Sequence, residues 1–175
     1  LRYGLDAYLD SVESSQYTKL TDLDLTVQDK RGLYVPGSAY RQGGAFADLE
    51  AQLFDGRVVL RGGARAGFAQ ASSPGTCDPK VAVCDTTSSR PDAPPIDRVW
   101  PTVAGNAGVE YRPVRAFSIL ANYDRSYRAP NLGDLTAFGL TGAGLQSPNQ
   151  ALDPEQGDTF EAGVRVDSVA TWPAA

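Results

Sequence analysis

The chain has 175 residues, 42% of them apolar, and carries 16 basic against 21 acidic side chains, a net charge of −5. This length fits one domain with an ordinary core. No stretch reaches the roughly 18 consecutive apolar residues of a spanning helix, which excludes a helical membrane protein. An acidic balance without a basic tract offers no footprint for phosphates, so nucleic acid is excluded as an expected partner.

The sequence contains no Met and no His. Because it starts without an initiator Met or a signal peptide, we expect an internal piece of a longer protein. The absence of His removes the commonest general base and a favoured metal ligand, and no G-x-S-x-G motif is present. We therefore predict no enzymatic activity, no catalytic residues, no metal site and no cofactor.

Apolar residues recur with period two in six segments, which predicts strands with one apolar face each. The predicted strands cover residues 1–10, 44–53, 58–68, 102–112, 117–126 and 159–167. Asp55-Gly56 is a hairpin signal between the second and third strands, and Phe46 breaks the alternation of the second strand. The pattern predicts an all-β chain.

The predicted connections alternate between long and short. Residues 13–39, 72–99 and 128–156 form long connections, whereas 54–57 and 112–115 form short turns. Connections longer than about 15 residues are uncommon in compact soluble domains. Long extracellular loops opposite short periplasmic turns are normal in outer-membrane barrels, so the pattern favours an antiparallel up-and-down transmembrane barrel.

A soluble β-sandwich also alternates, with one face buried and one in water, and it remains an alternative. Strand length favours the barrel, because residues 58–68 span about 33 Å, or roughly 25 Å of depth when tilted. Aromatic residues also favour it. Tyr111 and Phe117 flank a short turn, while Phe68 and Tyr123 lie at the far ends of their strands, as two aromatic girdles would.

The two cysteines, Cys77 and Cys84, lie in a segment rich in Ser, Thr, Pro and Asp. A metal site would need more ligands nearby, and none has the required spacing. A local disulfide formed in an oxidising compartment is the favoured interpretation, and two free thiols in a loop are the alternative.

Two motifs late in the chain carry a family resemblance. Residues 122–132 include Ser-Tyr-Arg-Ala-Pro-Asn, and residues 149–155 read Asn-Gln-Ala-Leu-Asp-Pro-Glu before Thr-Phe-Glu-Ala-Gly at 159–163. Both resemble the strand-to-loop and loop-to-strand phrases of TonB-dependent outer-membrane receptors. Gln150 and Asp153 depart from the family pattern, which usually has Pro and often Lys there. The resemblance covers most of the chain in order.

The resemblance implies a partial receptor barrel over residues 1–175, located in the bacterial outer membrane, with the plug domain and terminal strands absent. Its function would be TonB-energised uptake of a scarce ligand such as a ferric siderophore or cobalamin. The implied partners are outer-membrane lipid, the receptor's own plug, the TonB complex and a small-molecule ligand. A passive barrel or adhesin and a soluble β-sandwich binding module remain alternatives.

Within such a barrel, charged side chains on the non-apolar rows would line the lumen. The candidates are Asp6, Asp10, Arg61, Arg65, Asp124, Glu161 and Arg165. They would guide a charged substrate or hold the plug, or else form cross-strand ion pairs that keep the wall solvated. Arg128 and Asn131 at the loop mouth are candidates for ligand contact, with loop folding around Pro130 as the alternative.

Overall fold

The computed structural model describes residues 1–28, 32–77, 92–142 and 144–167. Its elements are β1 (Arg2–Val12), β2 (Tyr17–Leu20), β3 (Leu25–Gln28), β4 (Ser38–Leu53), β5 (Val58–Ser73), β6 (Ile96–Val114), β7 (Phe117–Arg128), α1 (Leu132–Thr136), β8 (Gly139–Thr141), β9 (Gly144–Gln146) and β10 (Glu155–Val166). Among the described residues, no helix is long and apolar enough to cross a membrane.

One antiparallel sheet of six long strands dominates the structure. The strand order is β1-β4-β5-β6-β7-β10, so each long strand pairs with the next long strand along the chain. The hairpins β2–β3 and β8–β9 belong to the long connections. The sheet is open, with β1 and β10 at its edges. This arrangement confirms the predicted all-β, up-and-down fold.

The strands are longer than the alternation predicted. β4 begins at Ser38, β5 continues to Ser73, and β6 begins at Ile96, inside the predicted long connection. β6 also continues through the predicted turn at 112–115 to Val114. In β5 the added residues 69–73 are Ala, Gln and Ser, so both faces are polar or small and the period-two signal disappears. In β6 the added end has apolar residues on both faces, with Val99 on one and Trp100 on the other, which also removes the alternation.

The two faces of the sheet differ in chemistry. By the strand register, Leu5, Leu49, Val103 and Phe160 share one face, which we call the apolar face. Their exposures are 84%, 56%, 60% and 79%, so nothing in the described chain covers these side chains. The opposite face, which we call the polar face, carries charged and small residues. A contiguous apolar face exposed to this extent marks a surface that contacts another protein or a membrane.

The apolar face ends in a polar rim toward the long connections. The outward-facing residues of this rim are Arg41, Gln70, Asp97, Arg125 and Asp158. Directly below it lie Phe68, Tyr123 and Phe160, the last two with ring centroids 4.7 Å apart. Tyr111 and Phe117 lie at the short-turn end. The apolar face is therefore a band bordered by aromatic residues at both ends, as the sequence predicted.

β6 and β7 separate before either strand ends. Their pairing stops at Gly105 and Arg125, although β6 continues to Ile96. The Arg112 amide donates to the Arg57 carbonyl (2.7 Å), so even-numbered residues of β6 direct their backbone groups toward β5. Pro101 therefore faces the β7 side. Pro has no N–H and cannot donate a hydrogen bond to a neighbouring strand. Pro101 therefore fits a stretch of β6 that does not pair with β7.

A small core lies on the polar face near the long connections. It consists of Ala69, Ala71, Ile96, Trp100, Leu132 and Leu135. Leu132 and Leu135 come from α1, so the connection after β7 folds back onto the sheet. This core closes over the end of the polar face opposite the short turns.

Candidate functional site

The polar face brings the predicted lumen residues together. The register places seven residues from four strands on this one face: Asp6, Asp10, Arg61, Arg65, Asp124, Glu161 and Arg165. Four of them are tied into cross-strand ion pairs, whereas Asp10, Asp124 and Glu161 make no ion pair with any described residue. The face therefore combines fixed charges with carboxylates that are available to something outside the sheet.

Arg65 reaches across a whole strand to Asp6. Its Nη2 lies 2.6 Å from Asp6 Oδ2 and its Nε 3.1 Å from Oδ1, a bidentate pair that joins β5 to β1. The intervening β4 residue is Gly44, where an added Cβ would lie 2.9 Å from Arg65 Cζ. Glycine is required here because the guanidinium crosses β4 directly above it. The pair holds three adjacent strands in register.

Glu110 is the centre of a second charge cluster near the short turns. Its side chain is only 3% exposed and its Oε1 accepts from Arg112 Nε at 2.9 Å. Arg61 lies 3.3 Å from Oε2 and Arg165 lies 3.4 Å from Oε1. One carboxylate thus holds arginines from β5, β6 and β10. Arg61 also pairs with Glu50 at 3.0 Å, which extends the cluster to β4.

Glu110 was missed as a candidate, although the alternation placed it and Arg112 on the charged side of their strand. What the sequence lacks is the register between β6, β7 and β10 that brings Arg165 to the same carboxylate. In the sequence, the only sign of this cluster was that Glu110 lies in a row of charged and polar residues.

The other end of the polar face is closed by α1. Asn131 caps the helix, since its side-chain oxygen accepts from the Asp134 amide at 3.0 Å. Asp134 Oδ2 in turn accepts from the Asn131 amide at 3.1 Å, which completes a capping box. Leu135 is fully buried against the sheet. The short helix is therefore fixed both by its own cap and by packing.

Arg128 ties this helix to the strand that follows. Its Nη2 lies 2.9 Å from Asp134 Oδ2, and its Nη1 lies 3.0 Å from Glu155 Oε1. Both loop-mouth candidates, Arg128 and Asn131, thus hold the connection in shape. The contacts that the structure shows for these two residues are within the connection and its neighbouring strand. Their contact with a ligand stays a prediction.

Arg98 anchors the segment before β10. Its Nη1 donates to the carbonyls of Gln150 (2.7 Å) and Leu152 (2.9 Å), and its guanidinium lies 5.0 Å from the Trp100 ring centroid. The Gln150 side chain donates to the Pro94 carbonyl at 3.0 Å. Gln150, one of the departures from the family pattern, therefore has a structural role that Pro could not supply.

Cys77 is disulfide-bonded. Cys84, the other half of the predicted pair, lies outside the described residues. Within the described ranges, no group of three or more His, Cys, Asp or Glu side chains is placed to hold a metal ion.

Comparison with known proteins identifies the family. The sequence model of the protein family described as "TonB dependent receptor-like, beta-barrel" matches residues 1–173. The chain belongs to this family of outer-membrane receptors. No curated protein matches it.

Among solved structures, this receptor-barrel chain resembles a double mutant of the Serratia marcescens hemophore receptor HasR in complex with its hemophore HasA and heme. The TM-score is 0.69 at 21% identity, over 98% of this chain and 27% of the HasR chain. At this identity the likeness supports the fold. The chain spans about a quarter of the length of that receptor.

Proposed function

We propose that this chain forms part of the wall of a TonB-dependent receptor that takes up a scarce ligand across the outer membrane. The observation that carries the proposal is the contrast between the two faces of one sheet. An exposed apolar band bordered by aromatic residues suits lipid, and the opposite charged face suits a hydrated interior. In this role the chain is a binding and transport component and performs no covalent step.

The ligand class we propose is a scarce, iron- or cobalt-containing small molecule, such as a ferric siderophore or cobalamin. HasR is solved with a hemophore and heme, which adds heme to the ligands worth testing. The long connections, of which α1 is an ordered part, would contact the ligand. Arg128 and Asn131 would serve the ligand site by holding α1 at its mouth.

The polar face would contact a plug domain, with residues 1–175 as a partial barrel and the plug and terminal strands contributed by other parts of the receptor. Asp10, Asp124 and Glu161 are the carboxylates best suited to that role, because no described cation neutralises them. The ion-paired charges Asp6, Arg61, Arg65 and Arg165 would instead keep the wall in register. TonB would act through the plug.

The alternatives predict different contacts. A passive barrel or adhesin would share the two faces but would need no plug. A soluble β-sandwich would need a second layer over the apolar face, and the exposure of Leu5 and Phe160 argues against it.

The test is ligand uptake by the complete protein in a Gram-negative host lacking its own receptors. Cells would be supplied with labelled ferric siderophores, cobalamin or heme, with and without functional TonB. We expect accumulation of one ligand only when TonB is present. Accumulation independent of TonB would support the passive barrel, and binding of cells or proteins without uptake would support the adhesin.

A further inference from the structure

We propose that the two short turns together form a binding site for the phosphate-bearing headgroup of an anionic phospholipid. The inference rests on the proposed function, because the short turns of an outer-membrane barrel face the periplasm and so lie at the periplasmic leaflet. It concerns a contact with the membrane itself that is separate from ligand uptake. The turns are residues 54–57, between β4 and β5, and residues 115–116, between β6 and β7.

Backbone hydrogen bonds hold these turns side by side. The Arg57 amide donates to the Phe54 carbonyl at 3.1 Å, which closes the first turn. The Arg112 amide donates to the Arg57 carbonyl at 2.7 Å, which fixes that turn against the end of β6. The site is thus built on paired strands rather than on a long connection.

Between the turns lies an open cleft of about 580 Å³, lined by Gln52, Asp55, Arg57, Arg112, Pro113 and Arg115 among others. Arg112 is bound to Glu110 and is not available. Arg57 and Arg115 are exposed, and neither makes an ion pair with any residue of the described ranges. Two free guanidinium groups on one cleft, against the single carboxylate of Asp55, favour an anion that accepts several hydrogen bonds.

Val114 lines the same cleft, and Phe54 directly precedes the lining residue Asp55 in the first turn. Exposed apolar side chains at this place favour a lipid over a free anion. Phe54 is 73% exposed and Val114 60% exposed, at the end of the apolar face. Phe54 also has a φ of 54°, a left-handed conformation that a bulky side chain rarely adopts. An exposed aromatic residue held there gains no packing that offsets the strain. Contact with acyl chains, beside arginines on phosphate, would supply that gain.

The test is lipid binding by the complete purified protein, measured by native mass spectrometry in neutral detergent. The probes are phosphatidylglycerol and, as the uncharged-headgroup control, phosphatidylcholine. We expect selective retention of phosphatidylglycerol, weakened about fivefold by Arg57→Gln or by Arg115→Gln. The matched control is Arg41→Gln, which removes an exposed arginine from the opposite end of the sheet and should leave binding unchanged.

Several outcomes would overturn the proposal. These are equal retention of both lipids, unchanged binding in both cleft variants, and an equal loss in Arg41→Gln. Competition by inorganic phosphate as effective as by phosphatidylglycerol would assign the cleft to a free anion instead. Arg57→Lys and Arg115→Lys keep the charge and guard against misfolding, and they should bind nearly as well as the parent protein.

Phe54→Gly separates the apolar contribution from the charge. It should relieve the turn and raise the unfolding temperature while weakening phosphatidylglycerol binding, a combination that simple damage to the fold would not produce. TonB-dependent uptake is measured in parallel on the same variants. If the unsubstituted protein takes up none of the ligands, the proposed function is contradicted. If it takes up a ligand but does not distinguish phosphatidylglycerol from phosphatidylcholine, only this inference is contradicted.

Discussion

The Glu110 carboxylate is almost fully buried and forms ion pairs with three arginines. Replacing its carboxylate leaves those cations facing one another across β5, β6 and β10. The alternation of the sequence could assign each of these residues to a face, because side chains in a strand alternate with period two. It could not pair them, because cross-strand partners depend on a register that is set by turns and bulges.

We expect Glu110→Gln to lower the free energy of unfolding by about 1 kcal/mol, because the arginines are half exposed and remain hydrated. Chemical unfolding of the complete protein in detergent measures this loss. Glu13→Gln is the matched control, since Glu13 is exposed and makes no ion pair with a described residue. Equal losses in the two variants would contradict a special role for Glu110.

The Asn131 side chain closes the capping box of α1. Asn131→Ala removes the acceptor for the Asp134 amide and should destabilise the helix by about 1 kcal/mol. Faster amide hydrogen exchange at residues 132–136 measures the effect. Asn106→Ala, at an exposed strand position, is the control and should leave that exchange unchanged.

At the scale of elements, the six long strands and their order could be predicted, but their ends could not. The apolar band gives alternation only as far as Phe68 in β5, and the strand then continues through Ala, Gln and Ser residues to Ser73. There both faces are polar or small, so hydrophobic periodicity carries no information. The helix α1 was missed because five residues are too few for a 3.6-residue period, although the Asn131…Asp134 spacing of its cap was visible.

The helix α1 is held on the sheet chiefly by Leu135, which is fully buried in the small core. Leu135→Ala should lower the free energy of packing α1 on the sheet by about 2–5 kcal/mol, because a five-residue helix has no other side chain to fill the cavity. Detachment of α1 would expose Trp100 and shift its fluorescence to longer wavelength, read in a Trp172→Phe background. Leu145→Ala, at an exposed position, should leave the emission unchanged.

At the scale of the whole molecule, the apolar face and the polar face make opposite demands on their surroundings. Neighbouring residues of β6 test this directly, because Ala107 points to the apolar face and Asn106 to the polar face, both exposed. Ala107→Arg should destabilise the reconstituted protein by about 2–4 kcal/mol, the cost of a charge near the bilayer midplane. Asn106→Arg should be close to neutral.

Unfolding of both variants by denaturant in lipid vesicles provides the measurement. If the two arginines were equally tolerated, the apolar face would not be in contact with lipid, and the assignment of the two faces would be wrong. The family, the topology and the orientation of side chains could all be predicted from motifs and periodicity. The contacts that close the two ends of the polar face could not, since they join residues far apart in sequence.

The separation of β6 from β7 at Gly105 has a mechanical consequence. Above that point β6 is joined instead to the segment before β10, through the hydrogen bonds of Arg98 to the carbonyls of Gln150 and Leu152, and Pro101 offers no amide toward β7. This stretch of wall can part without breaking a single rung of the β6–β7 ladder. A force directed along the sheet, across the strands, would separate this stretch before the rest of the wall. The hydrogen bonds of Arg98 are the contacts that resist the separation.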